Sequence, residues 1–79
     1  MMKAVSTEKA IRMIEIENTI TFEVDRKMHK NDIKGEIEKL FNVKVDRIRT
    51  HITRGRKIAL IKLKKENLAT DLATKLGMI

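Results

Sequence analysis

The run Ile58-Ala59-Leu60-Ile61 is apolar at every position, in a chain of which 37% is charged. A strand that is apolar on both faces belongs in the middle of a sheet, with neighbours along both edges. Residues 57–64 are therefore expected to form the central strand, with Lys62 and Lys64 pointing one way and Leu63 the other. The other elements arrange themselves around this one. Thr19 to Asp25 alternates strictly, with Ile20, Phe22 and Val24 on one side and Thr and acidic residues on the other, the pattern of a half-buried strand. Residues 43–52 read as a further strand in two registers. Val43 and Val45 belong to one alternation and Ile48, Thr50 and Ile52 to the other, and a bulge near Asp46-Arg47 would reconcile them.

Three helices complete the pattern. Ser6 can cap a short helix over residues 7–15, with Ala10, Ile11 and Ile14 on one stripe, before Glu17-Asn18 breaks the periodicity. After a basic turn from Arg26 to Lys30, Asn31 or Asp32 starts a helix in which Ile33, Ile37, Leu40 and Phe41 recur at helical spacing. Gly35 lies on its outer half and Asn42 at its end. Asn67 can cap a last helix carrying Leu68, Leu72, Ala73 and Leu76, closed by Gly77 with Met78 and Ile79 folding back. The expected fold class is thus α/β in the α+β sense, in the order α-β-α-β-β-α. The sheet is a small mixed split β-α-β sheet with the last-hairpin strand central and helices packed on it. The helix-linked first two strands run parallel through a right-handed crossover, and Thr53-Arg54-Gly55-Arg56 closes the final hairpin.

Seventy-nine residues make one domain, since two folding units of this size would each bury too little surface. The chain has no cysteine, which excludes disulfide scaffolds and Cys-based zinc sites. No apolar run approaches the ~20 residues of a membrane span, and the start lacks the apolar core of a signal peptide, so a soluble cytosolic protein is expected. With no Pro and 3 Gly, little of it can be linker.

Charge carries most of the functional information. The net charge is +7, and it is not spread evenly. Between Lys44 and Lys65 there are nine basic residues (Lys44, Arg47, Arg49, Arg54, Arg56, Lys57, Lys62, Lys64, Lys65) and one acid, Asp46, a balance of +8. The nine remaining basic residues and ten remaining acids leave the rest at −1. With Ile48, Thr50 and Ile52 inward, Arg47, Arg49 and His51 share the opposite face, and Arg54, Arg56 and Lys57 are expected to extend that surface around the turn. Guanidinium groups held at fixed spacing on a hairpin suit the phosphates of a folded RNA. Lys64 and Lys65 read as solvated charge.

Other chemistry is thinly represented. His29 and His51 lie on different elements without acidic partners at ligand spacing, so no metal and no cofactor are expected. Glu8, Glu15, Glu17, Glu36, Glu38 and Asp71 read as helix-surface charges, some pairing with neighbouring Lys. There is no nucleophile-plus-base arrangement and no Gly-rich phosphate loop, so no enzymatic activity is expected. Trp and Tyr are absent and Phe numbers 2, which argues against base stacking on the sheet in the manner of an RRM, and Gly55 lacks the second glycine of a KH loop. What remains is recognition of RNA shape and backbone. The rival readings are a small basic interaction module that binds an acidic protein, and a nucleic-acid chaperone without a fixed site.

Ser6-Thr7-Glu8-Lys9-Ala10, Asn18-Thr19-Ile20, the stretch KNDIKGEIEKLF from Lys30 to Phe41 with Val43-Lys44-Val45, and Arg56-Lys57-Ile58-Ala59-Leu60-Ile61-Lys62-Leu63 occur here in order. Together they resemble the large-subunit ribosomal protein twenty-three family over nearly the whole chain. The resemblance implies a single rRNA-binding domain over residues 1–79, in the cytoplasm on the ribosome, beside the rim of the polypeptide exit tunnel and in contact with neighbouring large-subunit proteins. It also implies a docking point for the signal-recognition particle or a nascent-chain chaperone, with no direct membrane insertion. The family's RNA-contacting Asn-Thr matches Asn18 and Thr19, and its basic stretch matches Arg56 and Lys57, although Ile58 stands where a further basic residue is usual. Glu8 matches its factor-receiving Glu. The short turn at Thr53-Arg54-Gly55-Arg56 resembles the archaeal branch, so a tunnel-lining loop is not expected. The candidate RNA-contacting set is Lys9, Asn18, Thr19, Lys30, Arg47, Arg49, Thr50, Arg54, Arg56 and Lys57, with Glu8 for factor docking.

Overall fold

In the computed structural model, which describes residues 2–77, the apolar run does occupy the middle of the sheet. The elements are β1 (Met2–Ala4), α1 (Glu8–Glu17), β2 (Thr19–Val24), α2 (Lys30–Phe41), β3 (Val45–Thr53), β4 (Arg56–Leu63) and α3 (Ala69–Lys75). Strand order is β1-β2-β4-β3, and every hydrogen-bonded neighbour is antiparallel. β2 and β3 therefore run parallel to one another on either side of β4, as the crossover through α2 requires. The expectation of three strands is corrected to four. A three-residue strand is too short for alternation to register in sequence, and β1 is fixed instead by its ladder on β2, continued by Val5 N–H donating to the Thr21 carbonyl at 2.9 Å.

One face of the sheet is the core. Ile20, Phe22 and Val24 from β2, Ala59, Ile61 and Leu63 from β4 and Val45 from β3 pack against Ile33 and Ile37 of α2 and Ala69, Leu72 and Ala73 of α3. Each buried Ile or Leu there contributes about 1.5–3 kcal/mol. Phe22 and Phe41 stack with ring centroids 6.3 Å apart, so both aromatic side chains are spent on this face. The bulge is where the two registers demanded it. Pairing shifts between Val45 and Arg47, which returns Ile48 and Thr50 to the Val45 side. Leu40 and Ile52, expected inward, are 60% and 59% exposed. Leu40 sits at the margin of the α2 stripe, and Ile52 lies near the end of a hairpin that runs on past the helices.

Helix ends differ from expectation in an instructive way. Thr7, not Ser6, caps α1, its hydroxyl accepting from Ala10 N–H at 3.1 Å. α2 starts at Lys30, one turn boundary earlier than Asn31 or Asp32, because the Asp32 carboxylate reaches back to His29 N–H at 3.1 Å. Glu38, expected as a surface charge, accepts from Val45 N–H at 3.0 Å and so anchors the start of β3 to α2. Asn67 does not cap α3; its side-chain oxygen takes Lys44 N–H at 2.7 Å. The cap comes from Asn18, 51 positions away, whose Oδ1 accepts from Ala69 N–H at 2.6 Å. The Asn18 amide nitrogen donates to the carbonyls of Leu63 (3.2 Å) and Asn67 (2.9 Å), and reaches that of Lys64 at 3.4 Å. Asn18 itself is in the left-handed region (φ 52), where it turns α1 into β2. The expected backward packing of Met78 and Ile79 lies outside the described residues.

Asn18→Gly keeps the left-handed turn accessible while removing every one of these side-chain bonds. The loss is expected to be about 1–3 kcal/mol of unfolding free energy in urea denaturation, with Asn18→Ala costing more because it adds backbone strain.

Candidate nucleic-acid interface

The second face of the sheet is built as three rows read across β2, β4 and β3. They are Thr19, Lys62 and Arg47; then Thr21, Leu60 and Arg49; then Glu23, Ile58 and His51. α1 lies along the β2 side of this face and buries Thr19 and Thr21, each 6% exposed. The β4 and β3 columns are left open, so Ile58 and Leu60 are half-buried and Arg47, Arg49, His51 and Lys62 exposed. Between α1 and the strands runs a trough that the Met13 and Leu60 side chains divide in two. One compartment is lined by Glu17, Thr19, Arg47, Arg49 and Lys62, the other by Thr7, Lys9, Ala10, Thr21, His51 and Ile58.

The hairpin that carries this surface is closed by Arg54 and Gly55, both at positive φ (51 and 77), between the paired residues Thr53 and Arg56. Two left-handed residues in succession match the twist of the flanking strands. The guanidinium of Arg54 is therefore presented at an exposed tip. Among the described residues the one ion pair is Arg56 with Glu23, at 3.6 Å and largely solvated. The expected Lys–Glu pairs along the helices do not form there, and Arg47, Arg49, Arg54 and Lys62 have no acidic partner within ion-pair distance. No group of three or more acidic or histidine side chains is placed to hold a metal among the described residues.

The predicted site residues fall into three sets. Arg47 and Arg49 share the open face, Lys9 borders it from α1, and Arg54 and Arg56 continue it around the tip. Asn18, Thr19, Thr50 and Lys57 are placed otherwise. Asn18 is engaged as the α3 cap, and the Thr19 hydroxyl donates to the Glu17 carbonyl at 3.0 Å. Thr50 pairs with Ala59 on the core side. Lys57 does not extend the basic surface around the turn. It pairs with Val24 and Ile52, on the opposite face from Arg56, and its ammonium donates to the Met28 carbonyl. The third set lies away from the hairpin: Lys30 is exposed at the start of α2, and Glu8 is exposed in the first turn of α1. His51 lies on this face as its alternation with Arg47 and Arg49 led one to expect, and Lys62 joins it without having been named as a site residue, although placing Ile61 inward already sends Lys62 outward beside Arg47.

An open cationic sheet face with an apolar floor, on a small α+β domain, defines a small basic protein. The comparisons say which. The model of the family described as Ribosomal protein L23 matches residues 1–71. The large ribosomal subunit protein uL23 of Pyrobaculum aerophilum is 51% identical over 78 residues, covering 98% of this chain and 96% of that protein. That of Methanothermobacter thermautotrophicus is 49% identical over 78 residues, covering 98% and 91%. The chain belongs to the ribosomal protein L23 family, and both of these relatives are archaeal, in keeping with the short hairpin.

Exposed, unpaired arginines contribute little to the fold. Arg47→Gln and Arg49→Gln, singly or together, are expected to leave the unfolding free energy within about 0.5 kcal/mol of the parent in urea titrations.

Proposed function

We propose that this chain is a structural constituent of the large ribosomal subunit that binds large-subunit rRNA through the open face and tip of the β3–β4 hairpin. The observation that carries the reading is the run of guanidinium groups at Arg47, Arg49 and Arg54 without acidic partners among the described residues. Strand geometry spaces them on a rigid support, and the planar fork of each can bridge phosphate oxygens. Arg56 contributes from beside Glu23, and Lys9 from the rim of the trough. Both phenylalanines face the core, which favours backbone and shape recognition over stacking.

Family membership supports a place at the rim of the polypeptide exit tunnel, among neighbouring large-subunit proteins. The two-residue turn gives the hairpin no extension into the tunnel. The exposed start of α1, with Glu8, offers a docking point for the signal-recognition particle or a chaperone that meets nascent chains.

Binding that neutralises about 5–8 phosphates gives a log K against log salt slope of roughly −4 to −7. The triple variant Arg47→Gln, Arg49→Gln, Arg54→Gln is expected to bind protein-free large-subunit rRNA more weakly, with the slope flattened by about 2–3. A slope equal to the parent's in filter binding would remove the hairpin as the contact surface.

A further inference from the structure

Thr21 is buried in the middle of β2, yet its hydroxyl has no hydrogen-bond partner among the described residues. Burying an unsatisfied hydroxyl is destabilising, by about 1–3 kcal/mol, and such groups are uncommon in folded chains. The hydroxyl oxygen is shut off from solvent in the free protein, but the residue is not part of the apolar core. It lines the second compartment of the trough, a cleft of about 450 Å³ counting its open mouth, with Ala10, Met13, Ile58 and Leu60 as apolar walls and Lys9 and His51 at the rim. Arg49 lies in the same row, one strand beyond Leu60.

Resting on the reading of the open face as an rRNA-binding surface, we propose that this compartment receives one unpaired nucleobase of the RNA, with Thr21 Oγ1 hydrogen-bonding its edge once the side chains that cover the oxygen in the free protein shift on binding. Three features fit this occupant. A threonine hydroxyl both donates and accepts, so it matches the mixed donors and acceptors of a base edge whichever base is presented. The walls are apolar and include the Met13 thioether, whose polarisable sulfur makes favourable contacts with aromatic rings, which supplies a base contact on a face that has no Phe, Tyr or Trp of its own. The cationic groups are at the mouth, not the floor, where the phosphates flanking an everted base would lie. Met13 and Leu60 then separate a compartment for the base from one in which Arg47, Arg49 and Lys62 meet the backbone.

Two variants test this against protein-free large-subunit rRNA. Thr21→Val replaces the unpaired hydroxyl by a methyl group, so the protein is expected to be as stable as the parent or more so. Ile58→Trp fills the compartment from the open side without changing charge. Each is expected to weaken binding about tenfold with the salt slope unchanged, since no phosphate contact is lost. Each should also restore reactivity at the pairing edge of a single unpaired nucleotide, to dimethyl sulfate for A or C and to a carbodiimide for U or G, while the rest of the footprint persists. Parental affinity and an unaltered footprint in both variants would overturn the base site. If the triple arginine variant still flattens the slope in that case, the basic face stands without it; if that slope is also parental, the rRNA-binding reading itself falls.

Discussion

The end of α1, the far end of β4 and the beginning of α3 meet at one side chain. Asn18 adopts the left-handed backbone that reverses the chain into β2 and uses its amide to bond the carbonyls of Leu63 and Asn67 and the Ala69 N–H at the start of α3. Ordinarily a helix is capped by the residue just before it. Here Leu68, which occupies that position, has no polar group to offer, and the long-range bond replaces the local one. The arrangement couples elements far apart in sequence, tying the start of α3 to the end of α1 and the end of β4. Asn67 adds the link to Lys44 at the entry of β3, so the corner also sets where the basic hairpin begins.

From that corner the two faces of the sheet acquire opposite characters. The core side gathers both phenylalanines and most of the fully buried aliphatic residues under α2 and α3. The other side keeps α1 against β2 and leaves β3 and β4 to solvent. The bulge at Asp46 is what puts the arginines there. It lets Val45 remain against Leu63 while Arg47 and Arg49 turn outward, so a single extra residue reconciles a buried strand start with a cationic strand middle. Lys57 shows the same division from the other side, since its charge is used to hold the Met28 carbonyl rather than to widen the exposed surface.

Much of this was legible in the residues. The apolar run named the central strand, the strict alternation named β2, and the broken alternation named the bulge. The open arginine face followed from placing Ile48 inward. What could not be read were features decided by distant contacts. β1 is defined by its partner and not by its own pattern. The α3 cap comes from a residue 51 positions away, where a nearby Asn67 offered the obvious local choice. The matching Asn-Thr of the resemblance pointed to Asn18 and Thr19 as a pair facing RNA, while their hydrogen bonds within the fold become visible only once β2, β4 and α3 are assembled. Thr21 gave no sign at all, because a threonine on the polar side of a strand is unremarkable until a helix covers it.

β3 lies at the margin of the sheet, with nine residues whose outer backbone groups are left without a fifth strand. A long margin of that kind invites another copy of the same chain to add itself in register. Arg47, Arg49 and Arg54 would then be brought against their own counterparts, and the bulge would interrupt the ladder near its start. The exposed cations of β3 thus also guard the free margin of the sheet against self-addition.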